Sequence, residues 1–265
     1  MNKYNDQIGN TILLKTNPKR IVSLVPSQTE LLYDLGLSNE VVGITKFCIY
    51  PNEWFHNKIR VGGTKNVNFK KIDDLHPDLI IANKEENTKE DIEKLQKKFQ
   101  VWVSDIKTLK EALEMIKNLG AITNRKENAE LITEKLFSIF EKLPKLSAPK
   151  NILYLIWKNP YMSINSDTFI HEMLKFNGFN NLAANLSKRY PTIQESEMQE
   201  LNPEIVFLSS EPFPFKGKHI KELQEILPKA KIILVNGEMF SWYGSRLLKA
   251  PNYFKKLRQN INLQY

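Results

Sequence analysis

The sequence predicts an α/β protein built of two related halves, and three observations carry that prediction. A run of helix end, proline, acid and apolar strand occurs twice, an amphipathic segment lies between the two occurrences, and the amino-terminal region alternates β-branched runs with a helix signal.

In chain order, Thr11 to Lys15 and Arg20 to Val25 are short apolar runs separated by the turn signal Asn17-Pro18, and they read as strands. Pro26 stops the second. Ser27 and Glu30 match a capping box ahead of Leu31, Leu32 and Leu35, with Gly36 placed to end the helix. Leu75-His76-Pro77-Asp78 closes a later helix before the unbroken run Leu79 to Ala82, the pattern of a strand buried on both faces of a parallel sheet. The same order returns 126 positions on, at Leu201-Asn202-Pro203-Glu204 before Ile205 to Leu208. A polar, helix-compatible stretch and a further apolar strand follow each copy, Val101 to Val103 in one case and Ile232 to Val235 in the other. Between the copies, Asn124 to Leu143 places Ala129, Ile132, Leu136, Ile139, Phe140 and Leu143 at helical spacing. About twenty helical residues rise roughly 30 Å, so this segment reads as a rigid connector closed by Pro144 and Pro149. The alternative is a surface helix of the first half, with the halves joined only through Pro144 to Pro149. The resulting division is an α/β lobe over 1–122, a connecting helix over 123–145 and a second α/β lobe over 146–265.

A chain of 265 residues with 42% hydrophobic content buries a substantial core. Its 38 Lys and Arg against 30 Asp and Glu give a formal charge of +8, which raises an anionic partner as a question. Lys94, Lys97 and Lys98 alternate with Asp91 and Glu93, and Lys255 and Lys256 fall on another helix face, so the excess reads as solvated surface. No nucleic-acid module is visible, and nucleic-acid binding ranks last. The single cysteine, Cys48, excludes an internal disulfide and a thiolate cluster. No apolar run is long enough to span a bilayer. Without an apolar leader after Met1 the sequence as it stands points to the cytoplasm, and to the periplasm if a leader has been removed.

Gly43 and Gly62-Gly63-Thr64 lack the spacing of a phosphate-cradling loop, and no nucleophile elbow occurs. His56, His76, His171 and His219 are scattered, which speaks against a structural zinc site and leaves a composite site from distant loops open. Cys48, in a loop after the strand Val41 to Ile44, reads as a buried small residue ahead of a ligand or reactive thiol. Aromatic side chains gather in predicted loops: Phe47, Tyr50, Trp54 and Phe55, then Trp157, Tyr161 and Tyr190, then Phe240, Trp242 and Tyr243. Each ring alone reads as packing over a helix end. As a set they also suit a cleft for a bulky, flat, partly apolar ligand, because sites in open α/β sheets form at the carboxyl ends of strands.

Asp6-Gln7-Ile8-Gly9, Pro18 to Ser27, Thr29-Glu30, Gly43-Ile44-Thr45, Tyr50-Pro51, Val61-Gly62-Gly63, Leu75 to Ile80, Tyr190-Pro191 and Ser245-Arg246 together resemble the periplasmic-binding-protein-like helical-backbone metal receptors. These are the cobalamin and iron-siderophore substrate-binding proteins of ABC transporters. The resemblance covers nearly the whole chain and implies two Rossmann-like lobes joined by a single long backbone helix. It implies a monomeric, non-catalytic protein that needs no cofactor and holds a cobalamin-like ligand or iron chelate between its lobes. By position it assigns ring contacts to Phe47, Tyr161 and Tyr190 and a guanidinium to Arg246, whose other reading is a pair with an acid near the chain end. A family tryptophan is replaced by Thr64, for which Trp242 compensates from a neighbouring loop. The ligand-binding set is thus Phe47, Tyr50, Thr64, Tyr161, Tyr190, Trp242 and Arg246, with no catalytic or metal-ligating residue.

The resemblance also implies an ABC permease as partner, docked through one glutamate on each lobe. Lys70 and Ser196 stand at those positions, with Asp73, Asp74, Glu195 and Glu197 nearby as substitutes. A lysine facing a transporter arginine opposes docking. The alternative function is a cytoplasmic enzyme or chaperone of corrinoid or metal metabolism on the same scaffold, using Cys48, His56 or Glu30, although Glu30 reads first as a helix cap.

Overall fold

The computed structural model describes residues 1–144, 146 and 148–261. Lys145, at the end of the expected connector, and residues 262–265 of the expected second lobe lie outside the described residues. The chain divides into two compact units. The first comprises Met1–Ile106, Lys110–Phe137 and Tyr243–Arg246, and the second comprises Lys107–Leu109, Ser138–Trp242 and the chain from Leu247 onward.

The first unit begins with a hairpin of β1 (Asn2–Asn5) and β2 (Thr11–Leu14), paired antiparallel. β1 was not foreseen, because Asn2-Lys3-Tyr4-Asn5 has no apolar face. Its neighbour supplies the alternation, with Ile12 and Leu14 buried and Thr11 and Leu13 exposed. The turn between them rests on Asp6, whose carboxylate accepts from the amides of Ile8 (3.0 Å) and Asn10 (2.7 Å).

β3 (Ile21–Ser23), α1 (Pro26–Asp34), β4 (Val41–Ile44), α2 (Asn52–Asn57), β5 (Ile59–Arg60), α3 (Phe69–Leu75), β6 (Leu79–Asn83), α4 (Lys89–Gln96) and β7 (Val101–Ser104) follow. The five strands β3 to β7 form one parallel sheet in the order β5-β4-β3-β6-β7. Pro26 opens α1 with Val25 as N-cap, and no side chain caps that end. The expected capping box of Ser27 and Glu30 is therefore not formed: proline at the first helical position starts the helix two residues early, and the Glu30 carboxylate is taken by another partner described below. Gly36 ends the helix as expected, at φ 82°.

α5 (Leu109–Ile122) and α6 (Lys126–Glu141) form the linking helix. It is not continuous: Asn124, at φ 57°, breaks it, and α6 covers about 24 Å rather than the expected 30 Å. Ala129, Ile132, Leu136 and Phe140 are buried along α6 as their spacing predicts. The division between the two units falls inside this helix, between Phe137 and Ser138.

The second unit contains β8 (Lys150–Leu155), α7 (Phe169–Phe176), β9 (Phe179–Asn181), α8 (Glu195–Leu201), β10 (Ile205–Ser209), α9 (Gly217–Ile226), β11 (Lys231–Val235), α10 (Glu238–Ser241) and α11 (Ala250–Asn260). Its parallel sheet runs β11-β10-β8-β9. In each parallel sheet the chain starts at a central strand, moves one way, and returns to the other side through the proline motif.

The predicted repeat extends to backbone detail. His76 and Asn202 end α3 and α8 in the left-handed conformation, φ 43° and 45°, which histidine and asparagine tolerate better than most residues. Proline then prevents the helix from continuing. The acid that follows does the same work in both copies. Asp78 accepts from the amides of Lys19 (2.8 Å) and Arg20 (2.9 Å) at the start of β3. Glu204 accepts from the Asn151 amide (2.9 Å) and Lys150 Nζ (2.9 Å) in β8. Each unit has its own core on this frame, with Val22, Ile80, Ala82 and Val103 in one and Leu153, Val206, Leu208 and Ile232 in the other. Burying one such side chain contributes about 1.5–3 kcal/mol.

Candidate functional site

In both sheets the strand order reverses beside the first strand, between β3 and β6 and between β8 and β10, and ligands of open parallel sheets bind beyond the carboxyl ends of strands at such points.

In the first unit this edge is a buried polar network. Asn83 Nδ2 donates to the Ser104 carbonyl (3.1 Å) and Oγ (2.9 Å), and its own amide donates to Asn87 Oδ1 (2.9 Å). Gln28 donates to Ser104 Oγ from α1. Asn87 Nδ2 donates in turn to the carbonyl of Thr64 (2.9 Å), so the predicted residue Thr64 is buried and its loop is pinned to the sheet edge. Cys48 is buried, 3.1 Å from the hydroxyls of both Thr29 and Thr45. Burial pushes its thiol up, against the hydrogen bonds of the two threonines. This is a protonated packing residue and not a nucleophile.

Phe47 and Tyr50 stand in the loop after β4, 51% and 37% exposed. Lys46 Nζ lies 5.1 Å from the Phe47 ring centre, and the Arg246 guanidinium lies 4.0 Å from that of Tyr50. Arg246 also grips Glu30 with two contacts, Nε to Oε2 at 2.6 Å and Nη2 to Oε1 at 3.0 Å. An acid partner of Arg246 thus comes from α1. Gly244 explains how this segment reaches α1, since a Cβ there would lie 2.6 Å from the Ser27 carbonyl oxygen. Burial, then the carboxylates of Glu86 and Glu85, hold the Tyr243 phenol well above its ordinary range.

In the second unit the loop after β8 carries Trp157, which pairs through a β-bridge with Met162, itself bridged to Thr192. Half-buried Tyr161 sits in this loop and lines a shallow cavity of about 350 Å³ with Asn159, Pro160, Ile193, Gln194, Glu195 and Ser196. Burial raises its phenol, partly opposed by Lys158. The cavity thus brings together a predicted ligand residue and a predicted docking position. Lys70 and Ser196 are both exposed, and each is the second residue of its helix, α3 and α8, related by the same 126-residue offset as the prolines. Tyr190 is half-buried in the segment that pairs through the carbonyls of Arg189 and Pro191 with the amides of Asn165 (3.0 Å) and Ser163 (2.9 Å). Trp242 is 8% exposed, its indole N–H donating to Glu211 Oε1 at 3.1 Å. A smaller hollow of about 170 Å³, lined by Asn202, Pro203 and Pro228, lies away from all of these residues.

Phe213 and Phe215 were missed by the sequence reasoning. They lie in the loop after β10 and stack against His219 of α9, each 5.4 Å away. The alternation Pro212-Phe213-Pro214-Phe215 was the available signal, because rings between prolines cannot belong to a central strand. Among the described residues no group of three or more His, Cys, Asp or Glu is placed to hold a metal ion, and no helix is long and apolar enough to cross a membrane.

Comparison with known proteins gives a consistent result. The family model described as "Periplasmic binding protein" matches residues 21–228. An uncharacterized ABC transporter substrate-binding lipoprotein of Bacillus subtilis (strain 168), YvrC, is 30% identical over 76% of this chain and 67% of its own. A vitamin B12-binding protein of Vibrio vulnificus (strain CMCP6) is 26% identical over 78% of this chain and 77% of its own. Among solved structures, the periplasmic vitamin B12 binding protein BtuF of Vibrio cholerae has the same fold, with a TM-score of 0.77 at 23% identity over 92% of this chain and 99% of its own.

Proposed function

Because the chain belongs to the periplasmic binding protein family, the non-catalytic substrate-binding proteins of ABC-type transport, we propose that it captures a corrinoid, haem or iron chelate and presents it to a permease. The observation that carries this reading is the presence of partly exposed rings beyond the carboxyl ends of both sheets: Phe47 and Tyr50 in the first unit, Trp157 and Tyr161 in the second. Rings in such loops bind a flat macrocycle by stacking and apolar contact. The proposed ligand set is Phe47, Tyr50, Thr64, Tyr161, Tyr190, Trp242 and Arg246. Trp242 and Arg246 are engaged by Glu211 and Glu30, so their part is to support the exposed rings. The relatives named as a lipoprotein and as periplasmic support action outside the cytoplasmic membrane. Permease docking uses the exposed first turns of α3 and α8, where Lys70 and Ser196 stand; Glu195 and Glu197 supply acid on α8, and Asp73 and Asp74 supply it one turn further along α3.

Titration with cyanocobalamin, cobinamide, haemin and ferric siderophores, followed by calorimetry and macrocycle absorbance, tests the proposal. Saturable binding of one class at one ligand per chain is expected, with Phe47→Ala and Tyr161→Ala each weakening it about tenfold, the equivalent of roughly 1.4 kcal/mol. Absence of binding by every member of the panel refutes it.

A further inference from the structure

The ligand reading uses Trp157 as an exposed ring of the second unit but gives no part to its neighbour Phe213 or to the charge around the two, and that charge narrows the ligand class. Trp157 is 39% exposed just beyond β8, and its ring meets Phe213 edge to face with centres 5.7 Å apart. Phe213 is fixed from both sides. Its amide donates to the Ile156 carbonyl (3.3 Å), and its ring packs on Phe215 with centres 4.8 Å apart. A large ring held this far into solvent by an ordered partner is a ready contact for another flat group.

The surroundings are cationic in an unusual place. Lys216 and Lys218 are exposed at the start of α9, whose first turn holds no acid, and Lys158 follows Trp157 directly. The amino end of a helix carries partial positive charge and favours acids, so two lysines there add to that charge instead of offsetting it. His219 adds no positive charge to offset. Its Nδ1 accepts from the Lys216 amide at 2.8 Å, which puts the proton on Nε2. Burial, then Lys158, Lys218 and Lys216 against Glu222, hold its pKa down. Of the acids, Glu222 pairs with Lys158, and Glu195 acts on Lys158 and Tyr161. Lys216 and Lys218 add two charges beyond that pair.

Resting on the ligand-binding reading above, we infer that Trp157 and Phe213 form a stacking platform flanked by Lys216 and Lys218 that selects a flat ligand carrying peripheral carboxylates over a neutral one of the same shape. A porphyrin with free propionate groups meets this description. A corrinoid, whose periphery is amide, does not.

The test compares haemin, its dimethyl ester and cyanocobalamin by absorbance titration at low salt, on the full chain and on the variants Trp157→Ala and K216Q/K218Q. All three positions are exposed, and circular dichroism checks that the variants fold. Haemin is expected to bind about tenfold more tightly than the ester, as two charge-assisted contacts would give. K216Q/K218Q should remove that preference, and Trp157→Ala should weaken both porphyrins. Equal affinity for acid and ester, or Trp157→Ala binding like the parent, overturns the inference. Tight binding of cyanocobalamin with no preference for the acid overturns it while leaving the broader ligand role standing. Binding of nothing in the panel overturns both.

Discussion

Replacing Glu30 by glutamine removes one charge from a pair that is 6% and 5% exposed and joined at 2.6 and 3.0 Å across 216 positions. Glutamine keeps the size of the side chain and one acceptor oxygen, but it removes the carboxylate charge that the buried Arg246 guanidinium grips. Breaking one side of a buried pair costs about 3–5 kcal/mol, and the retained hydrogen bond restores about 1 kcal/mol, so a loss of roughly 2–4 kcal/mol is expected. At about 3 °C per kcal/mol for a domain of this size, Tm falls by roughly 6–12 °C. Replacing both partners, as in Glu30→Leu with Arg246→Met, leaves no unpaired charge and should recover most of that loss. Thermal unfolding of the parent, Glu30→Gln, Glu30→Leu, Arg246→Met and the Glu30→Leu/Arg246→Met double variant, followed by circular dichroism, completes the cycle. A loss below about 1 kcal/mol for Glu30→Gln, or a double variant as unstable as the singles combined, would show that this pair does not hold the Tyr243–Arg246 segment to the first unit.

Two further outcomes follow from the same packing. Gly244→Ala places a Cβ 2.6 Å from the Ser27 carbonyl oxygen and 3.3 Å from Leu31 Cβ. It should destabilise by about 1–3 kcal/mol in urea unfolding, and an unchanged midpoint would mean that the segment does not sit on α1. Burial raises the Tyr154 and Tyr243 phenols in the folded chain. The unfolded chain ionises them near pH 10, so the stability they contribute is complete below that pH and is lost as the pH rises above it. Urea midpoints measured upward from neutral pH should fall beyond about pH 10, less so in Tyr154→Phe; a flat profile there contradicts the assignment.

The repeated strands were legible because their signals are local. Pro77 and Pro203 forbid helix continuation whatever surrounds them, and the runs Leu79 to Ala82 and Ile205 to Leu208 have no polar face to expose. Local signals also misled. Ser27 and Glu30 match a capping box residue for residue, yet Pro26 already occupies the first helical position, and an arginine 216 positions away takes the carboxylate. β1 has no periodicity of its own and exists because β2 offers a partner, with Trp102 Nε1 donating to the Asn5 carbonyl at 3.2 Å. Of the rings proposed for the ligand, Phe47 and Tyr50 stood out as rings in a loop. Phe213 and Phe215 did not, since the proline alternation that marks them says where a strand cannot be and nothing about what the rings touch.

By itself the sequence determined the class of the fold, the duplication, and the apolar stripe of the linking helix, because each depends on backbone preferences and burial patterns that act over a few residues. Tertiary structure alone decided which buried polar groups meet: Glu30 with Arg246, Asn87 with the Thr64 carbonyl, Glu211 with Trp242. Such pairs depend on where distant segments are delivered by the sheet order. A buried donor or acceptor must find some partner, but nothing in its near sequence says which.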